Sequence, residues 1–304
     1  MLAAVGLAAS PLLVAAPSAP TAPITNSVIG YSVRSDFDRK LYRIEMTTGV
    51  ATQIGATGFS KIEALAVNAA GEIYGVNPAS SQLLKCSATT GACTAVGVLS
   101  GVAQVQTNAG LAFASNGVLY LAMNAVIYRV DPATGTTAAL GATGPALSGL
   151  AGVNPSAGCA SGVYGVGGNG DRGKFYCINV TNGGAALLGT ISVSSLDSGL
   201  DGDVTTGLVW GVSNATPGQV FSVDPATLAV ANLNAVTLAG SEIGGFESLA
   251  VVRSTLSTPT PPIVPTATGP EPVPTLSVAT LAALSLLLLC AAVLARRRLA
   301  SAGK

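Results

Sequence analysis

Histidine is absent from all 304 residues. Charged residues make up only 9%, aromatics 5%, and there is one tryptophan. Without histidine the commonest general base and the commonest transition-metal ligand are gone, so no nucleophile–base pair of the usual kind can be assembled. With so few charges there is no basic stripe to neutralise phosphates, which excludes nucleic acid as a partner. The same scarcity argues against a disordered acidic or basic chain. The formal net charge is zero, but it is unevenly spread. Residues 24–253 hold ten Lys/Arg against thirteen Asp/Glu, a net of −3, and four of the fourteen basic residues fall in the last nine positions.

Apolar residues are plentiful, at 49%, and so are glycines, at 37. The glycines point to many turns. Composition divides the chain into an apolar Ala/Pro-rich start (1–23), a repeat-bearing region (24–253), a Pro/Thr-rich stretch (254–275), an uncharged run (276–295) and a basic end (296–304).

The start, "MLAAVGLAASPLLVAAPSAP", has an apolar core followed by small residues at Ala15, Ala16 and Ala19. It reads as the back half of a signal peptide, without the basic n-region. Pro11, Pro17, Pro20 and Pro23 interrupt it too often for a buried helix. The stretch Ser254 to Thr275 carries seven prolines and reads as an extended, semi-rigid spacer. Leu276 to Ala295 then runs for twenty residues without a charge, which is the length needed to cross a bilayer as a helix. Cys290 lies inside it as a small apolar residue. Arg296, Arg297 and Arg298 follow at once. Basic residues beside a span stay in the cytoplasm, so the repeats are expected on the outer side of the membrane.

The order Val273, Pro274, Thr275, Leu276, Ser277, then apolar span, then arginine cluster resembles the IPTL-type C-terminal sorting signal, a relative of the PEP-CTERM signals of Gram-negative bacteria. That resemblance covers about the last 35 residues. It implies a membrane-embedded, exosortase-like partner that cuts near the motif. The chain would be anchored in the inner membrane facing the periplasm, then released or re-anchored at the cell surface.

In the region between, one short phrase recurs. It reads "YRIEMTTGVATQIG" from Tyr42, "LKCSATTGACTAVG" from Leu84, "YRVDPATGTTAALG" from Tyr128, "YCINVTNGGAALLG" from Tyr176 and "FSVDPATLAVANL" from Phe221. The spacings are 42, 44, 48 and 45 residues. A period in the forties fits the four-stranded blade of a β-propeller. Tyr128 and Val130 alternate with Arg129, as in a half-buried strand, and "DPATG" is a turn, so each phrase predicts the outer hairpin of a blade. A second phrase, with central leucines at Leu65, Leu111, Leu150 and Leu200, predicts the inner two strands.

The ends complement each other. Phe246–Val252 repeats the innermost strand with nothing after it, and Val28–Val33 is a second strand with nothing before it. Their pairing would complete one blade and protect the sheet edges. The expected fold is therefore all-β, a five-bladed propeller closed by its N- and C-terminal strands, followed by one C-terminal transmembrane helix. A β-sandwich or an open β-solenoid is the alternative. The phrase itself resembles propeller-like repeats of exported bacterial proteins of unassigned function.

Cys86 and Cys93 flank the second outer turn and can face each other across two strands. Cys159 and Cys177 bracket the blade-four hairpin and form the second candidate pair. An even count in an exported domain points to disulfides.

Asp197, Asp201 and Asp203 are weak candidates for a calcium site, as are Asp36 and Asp38 in a loop, but the spacing matches no EF-hand and a solvated loop is expected. The loop Gly167 to Gly173 lacks the helix that would make it an anion site. No catalytic residue and no cofactor can be nominated. The expected role is non-catalytic: a surface or envelope module that binds a protein or glycan, or serves as structure. A polysaccharide hydrolase using carboxylates on the propeller face is the alternative.

Overall fold

The computed structural model describes residues 27–105, 108–193 and 197–253. The signal-like start, the sorting motif Val273–Ser277, the span with Cys290, and Arg296–Arg298 lie outside them. Among the described residues no helix is long and apolar enough to cross a membrane.

Five sheets form. Blade one contains β1 (Val28–Val33), β2 (Lys40–Glu45) and β3 (Val50–Ala56). Blade two is β4 (Ala64–Val67), β5 (Ile73–Asn77), β6 (Gln82–Cys86) and β7 (Cys93–Val98). Blade three is β8 (Ala109–Phe113), β9 (Leu119–Met123), β10 (Val126–Val130) and β11 (Thr137–Ala142). Blade four is β12 (Leu147–Gly152), β13 (Val163–Gly167), β14 (Lys174–Ile178) and β15 (Ala185–Thr190). Blade five is β16 (Ser198–Asp203), β17 (Leu208–Ser213), β18 (Gln219–Val223) and β19 (Val230–Ala235). The chain then makes a small hairpin, β20 (Thr237–Leu238) with β21 (Ser241–Glu242), and ends in β22 (Ala250–Arg253).

The strand β22 pairs with β1, matching Val28 to Arg253 and Tyr31 to Ala250, so the termini share blade one. The pairing is as the sequence predicts, but the ladder starts at Ala250 rather than Phe246. Side chains explain the difference. Val33 N donates to Ser248 Oγ, and Ser32 Oγ donates to the Ser248 carbonyl, so hydroxyls replace ladder bonds there. The hairpin β20–β21 was not legible in the sequence. It lays β20 parallel to β3 and covers the outer edge of blade one.

Each interface between blades holds one apolar cluster, and each cluster takes one central leucine: Leu65, Leu111, Leu150, Leu200 and Leu249. All five are at most 2% exposed. Burying each contributes on the order of 1.5–3 kcal/mol. Around the axis the innermost strands touch backbone to backbone. A Cβ on Gly149 would lie 2.4 Å from the Ser198 carbonyl oxygen, and one on Gly199 would lie 2.3 Å from the Ser248 carbonyl carbon.

Four of the five copies of the phrase end in glycine for a similar reason at the rim. A Cβ on Gly55 would meet Thr90 O of the next blade at 2.2 Å, and one on Gly97 would meet Thr134 O at 2.0 Å. Each outer strand therefore rests on the hairpin turn of its neighbour.

The axial funnel and the acidic cluster

Both disulfides are present. Cys86 and Cys93 are register partners on β6 and β7, and Cys159 joins Cys177.

Aligning the innermost strands on their leucines puts Ala66, Ala112, Ala151 and Ala250 at equivalent places. The fifth such place holds Asp201. The expected solvated loop is thus incorrect for Asp201 and Asp203. Both lie on β16, at 4% and 5% exposure. Local polarity in "LDSGLDGDV" suggested a loop, but the blade register puts the segment on the axis.

Asp201 Oδ2 accepts from Val251 N at 2.8 Å, and its Oδ1 accepts from Gly202 N at 2.8 Å. The backbone of Val67 adds a third bond. One carboxyl therefore links β16, β22 and β4, giving acceptors to amides that no fifth strand could pair. Burial pushes Asp201 up to about 8, while the three amides favour its ionised form. Among the described side chains no charged neighbour contributes to that shift.

Asp203 serves a turn instead. Its Oδ1 accepts from Thr205 N at 2.9 Å, and its Oδ2 accepts from Thr206 Oγ1 at 2.6 Å. The three acids Asp197, Asp201 and Asp203 do not converge, and among the described residues no group of three or more Asp, Glu or Cys could hold a metal ion.

Above Asp201 the strand ends open into a funnel of about 770 Å³. All five innermost strands contribute to it: Val67, Phe113, Gly152, Asp201 with Gly202, and Val251 with Val252. Asn68 and Ser115 lie in the turns of its rim. Asn68 is already committed, donating to Glu72 and accepting from Ala70 N and Glu72 N. Among the described residues Asp201 is the only ionisable side chain in the lining.

At the opposite ends of the strands lies an acidic cluster. Glu63, 5% exposed, accepts an ion pair from Lys61 at 3.0 Å, and Lys61 also reaches Asp36 at 2.9 Å. Glu63 and Glu247 are hydrogen-bonded to each other. Burial pushes Glu63 up, and burial followed by the Glu63 charge pushes Glu247 up to about 9. The pair therefore shares a proton. Against the pull of burial, the Asp36 and Glu63 carboxylates raise Lys61. The other loop acid, Asp38, pairs with Arg34 at 3.3 Å and accepts from the Tyr42 hydroxyl.

The sequence reading missed Glu63 and Glu247. The signal was there: both stand two residues before a central leucine, where the other blades carry Ala109, Ser148 and Ser198.

Fold and axis together define an all-β, five-bladed propeller. A family described as a repeat of unknown function, DUF6923, matches residues 122–248. No curated protein matches the chain. Among solved structures, virginiamycin B lyase from Staphylococcus aureus is 12% identical, with a TM-score of 0.39, over 64% of this chain and 62% of that one. A nidogen/laminin complex is 15% identical, with a TM-score of 0.44, over 74% of this chain and 84% of that one. A symmetrical protein from a study of de novo evolutionary emergence is 19% identical, with a TM-score of 0.45, over 74% and 98%. None of these likenesses is close enough to speak for an activity.

Proposed function

We propose that the protein is an exported, envelope- or surface-facing propeller that binds a ligand without transforming it, and that the axial funnel is where it binds. The observation that carries this reading is the funnel. It is about 770 Å³, lined from every blade, largely apolar and floored by a single buried carboxyl. That size and lining suit a small ligand or the end of a larger one. Two disulfides support an oxidising compartment. The uncharged span and arginine cluster support tethering, and the motif at Val273–Ser277 supports cutting by an exosortase-like enzyme.

The acidic cluster favours binding over hydrolysis. Glycosidases hold their two carboxyls about 5–5.5 Å or 6.5–9.5 Å apart. Glu63 and Glu247 are within hydrogen-bond reach, and Lys61 pins one of them.

The test uses the full chain in detergent, with thermal-shift screening against mono- and oligosaccharides and small organic ions. Reducing-sugar release is followed alongside. A saturable shift that Val204→Trp at the funnel rim removes, with no sugar released, is the expected result. Catalytic sugar release abolished by Glu63→Gln would overturn the non-catalytic reading. Intact-mass measurement in the native host checks the tail. A mature chain that keeps Arg296–Arg298 excludes cutting at Val273–Ser277.

A further inference from the structure

We propose that the funnel takes a small organic ammonium ion with an apolar body, its nitrogen on the Asp201 carboxyl and its body against Val67, Phe113 and Val251. The proposal rests on the funnel being the binding site and names the chemistry that site recognises.

Three observations lead to it. First, Asp201 is 4% exposed and has no cation among the described side chains. A buried carboxylate without a counter-charge is costly, and it becomes stable by taking a proton or by gaining a cation. Second, the space beside it is open to solvent on the funnel side and its walls are apolar. Val67, Phe113, Val251 and Val252 come from blades one, two and three. Beside the carboxyl, blades four and five offer Gly152 and Gly202, where a Cβ would meet a backbone oxygen at 2.0 Å, and blade five adds Val204 at the rim. The floor is therefore lopsided, with apolar side chains on one side and glycine backbone on the other. Third, polar partners are few. Three of the carboxyl's acceptor positions already face backbone amides, and Asn68 is committed to Glu72 and its own turn.

Those facts select among ligands. A hard divalent cation needs six to eight oxygens, and the lining offers one carboxyl. A sugar needs several hydrogen-bond partners to replace its water, and the wall does not supply them. An anion would face a carboxylate. A monocation with a hydrocarbon body matches both the charge on the floor and the apolar wall. The ring of Phe113 adds an aromatic surface, which attracts ammonium groups that approach its face.

The experiment titrates four probes into the full chain in detergent by calorimetry: n-butylammonium, butyrate, ammonium and calcium chloride. Butylammonium is expected to half-saturate at about 1–10 mM, well below the affinity ceiling for a ligand of five heavy atoms. Butyrate and ammonium should each bind at least tenfold more weakly, and Asp201→Asn should weaken butylammonium by tenfold or more. Melting curves confirm that this variant is folded. Val204→Trp narrows the funnel while leaving Asp201 in place, and it should also block butylammonium. If Asp201→Asn binds butylammonium like the parent, if butyrate binds equally well, or if calcium binds more tightly, the ammonium proposal is overturned while the funnel reading stands. If none of the probes binds, the proposal is likewise overturned. If butylammonium binds and Val204→Trp leaves its affinity unchanged, the funnel itself is the wrong site.

Discussion

Replacing Gly149 by alanine tests the closed ring most directly. Its added Cβ would lie 2.4 Å from the Ser198 carbonyl oxygen, 2.9 Å from Leu200 N and 3.1 Å from Leu200 Cγ. Two of those three atoms are backbone, so no side-chain rotation relieves the clash. Reaching ordinary contact distance would require β12 and β16 to part by about 1 Å. Parting them stretches the bond from Ser198 N to Ser148 Oγ, now 3.2 Å. In an open sheet stack the shift could be absorbed at a free end. In a ring it must be shared by the other four seams, each already filled with a buried leucine. Overpacking of this kind costs typically 1–3 kcal/mol, and closure argues for the upper end, about 3 kcal/mol. For a domain of this size that is a fall in Tm of roughly 6–12 °C. Gly170→Ala is the control, since nothing lies within 4 Å of its added Cβ, and its effect should stay within about 0.5 kcal/mol. Thermal and urea unfolding of both variants decide the matter. A Gly149→Ala protein as stable as the control would refute backbone contact between the innermost strands.

Removing the Cys86–Cys93 bond by double serine substitution should cost about 2–3 kcal/mol in urea unfolding, through the freed unfolded chain. Equal stability of the parent with and without reductant would contradict this. Lys61→Met leaves Glu63 buried beside Glu247 without its cation and should cost about 3 kcal/mol, most of it recovered in the Lys61→Met/Glu63→Gln double variant. Failure of the second change to recover stability would show that the ion pair is incidental. Stability should also fall as pH rises. Asp201 and Glu247 have folded values raised to about 8 and about 9, so between about pH 4 and those values the folded state holds protons that the unfolded chain has lost. Each group then removes roughly 1.4 kcal/mol per pH unit. Asp201→Asn should flatten that slope up to about pH 8, and an unchanged slope would mean that the carboxyl is not buried.

Blade number and phase were legible because they rest on repetition. A turn such as Asp131 to Gly135 followed by a short strand is a local signal, and five copies in register reinforce one another. The disulfide Cys86–Cys93 was legible for the same reason, since its residues flank one such turn. The chemistry of the axis was not legible locally. Nothing around Asp201 distinguishes it from a loop acid until the five inner strands are superposed and four alanines appear at its place. Glu63 and Glu247 are far apart in the chain, and only closure of the ring brings them within hydrogen-bond reach. The β20–β21 hairpin is built from two-residue strands, which carry too little periodicity to detect. Its place is set by the outer edge of β3, not by its own sequence.

The terminal pairing also sets an order of events. Blade one begins with Val28 and is not complete until Ala250 to Arg253 arrive, so four blades are translated before the first can finish. Until then β1 lacks its inner neighbour, and its inner edge stays unpaired. Val251 also donates one of the amides held by Asp201. The carboxyl therefore gains its full set of partners only when the last strand arrives, and the amide that completes the set pulls against the burial that favours its protonated form.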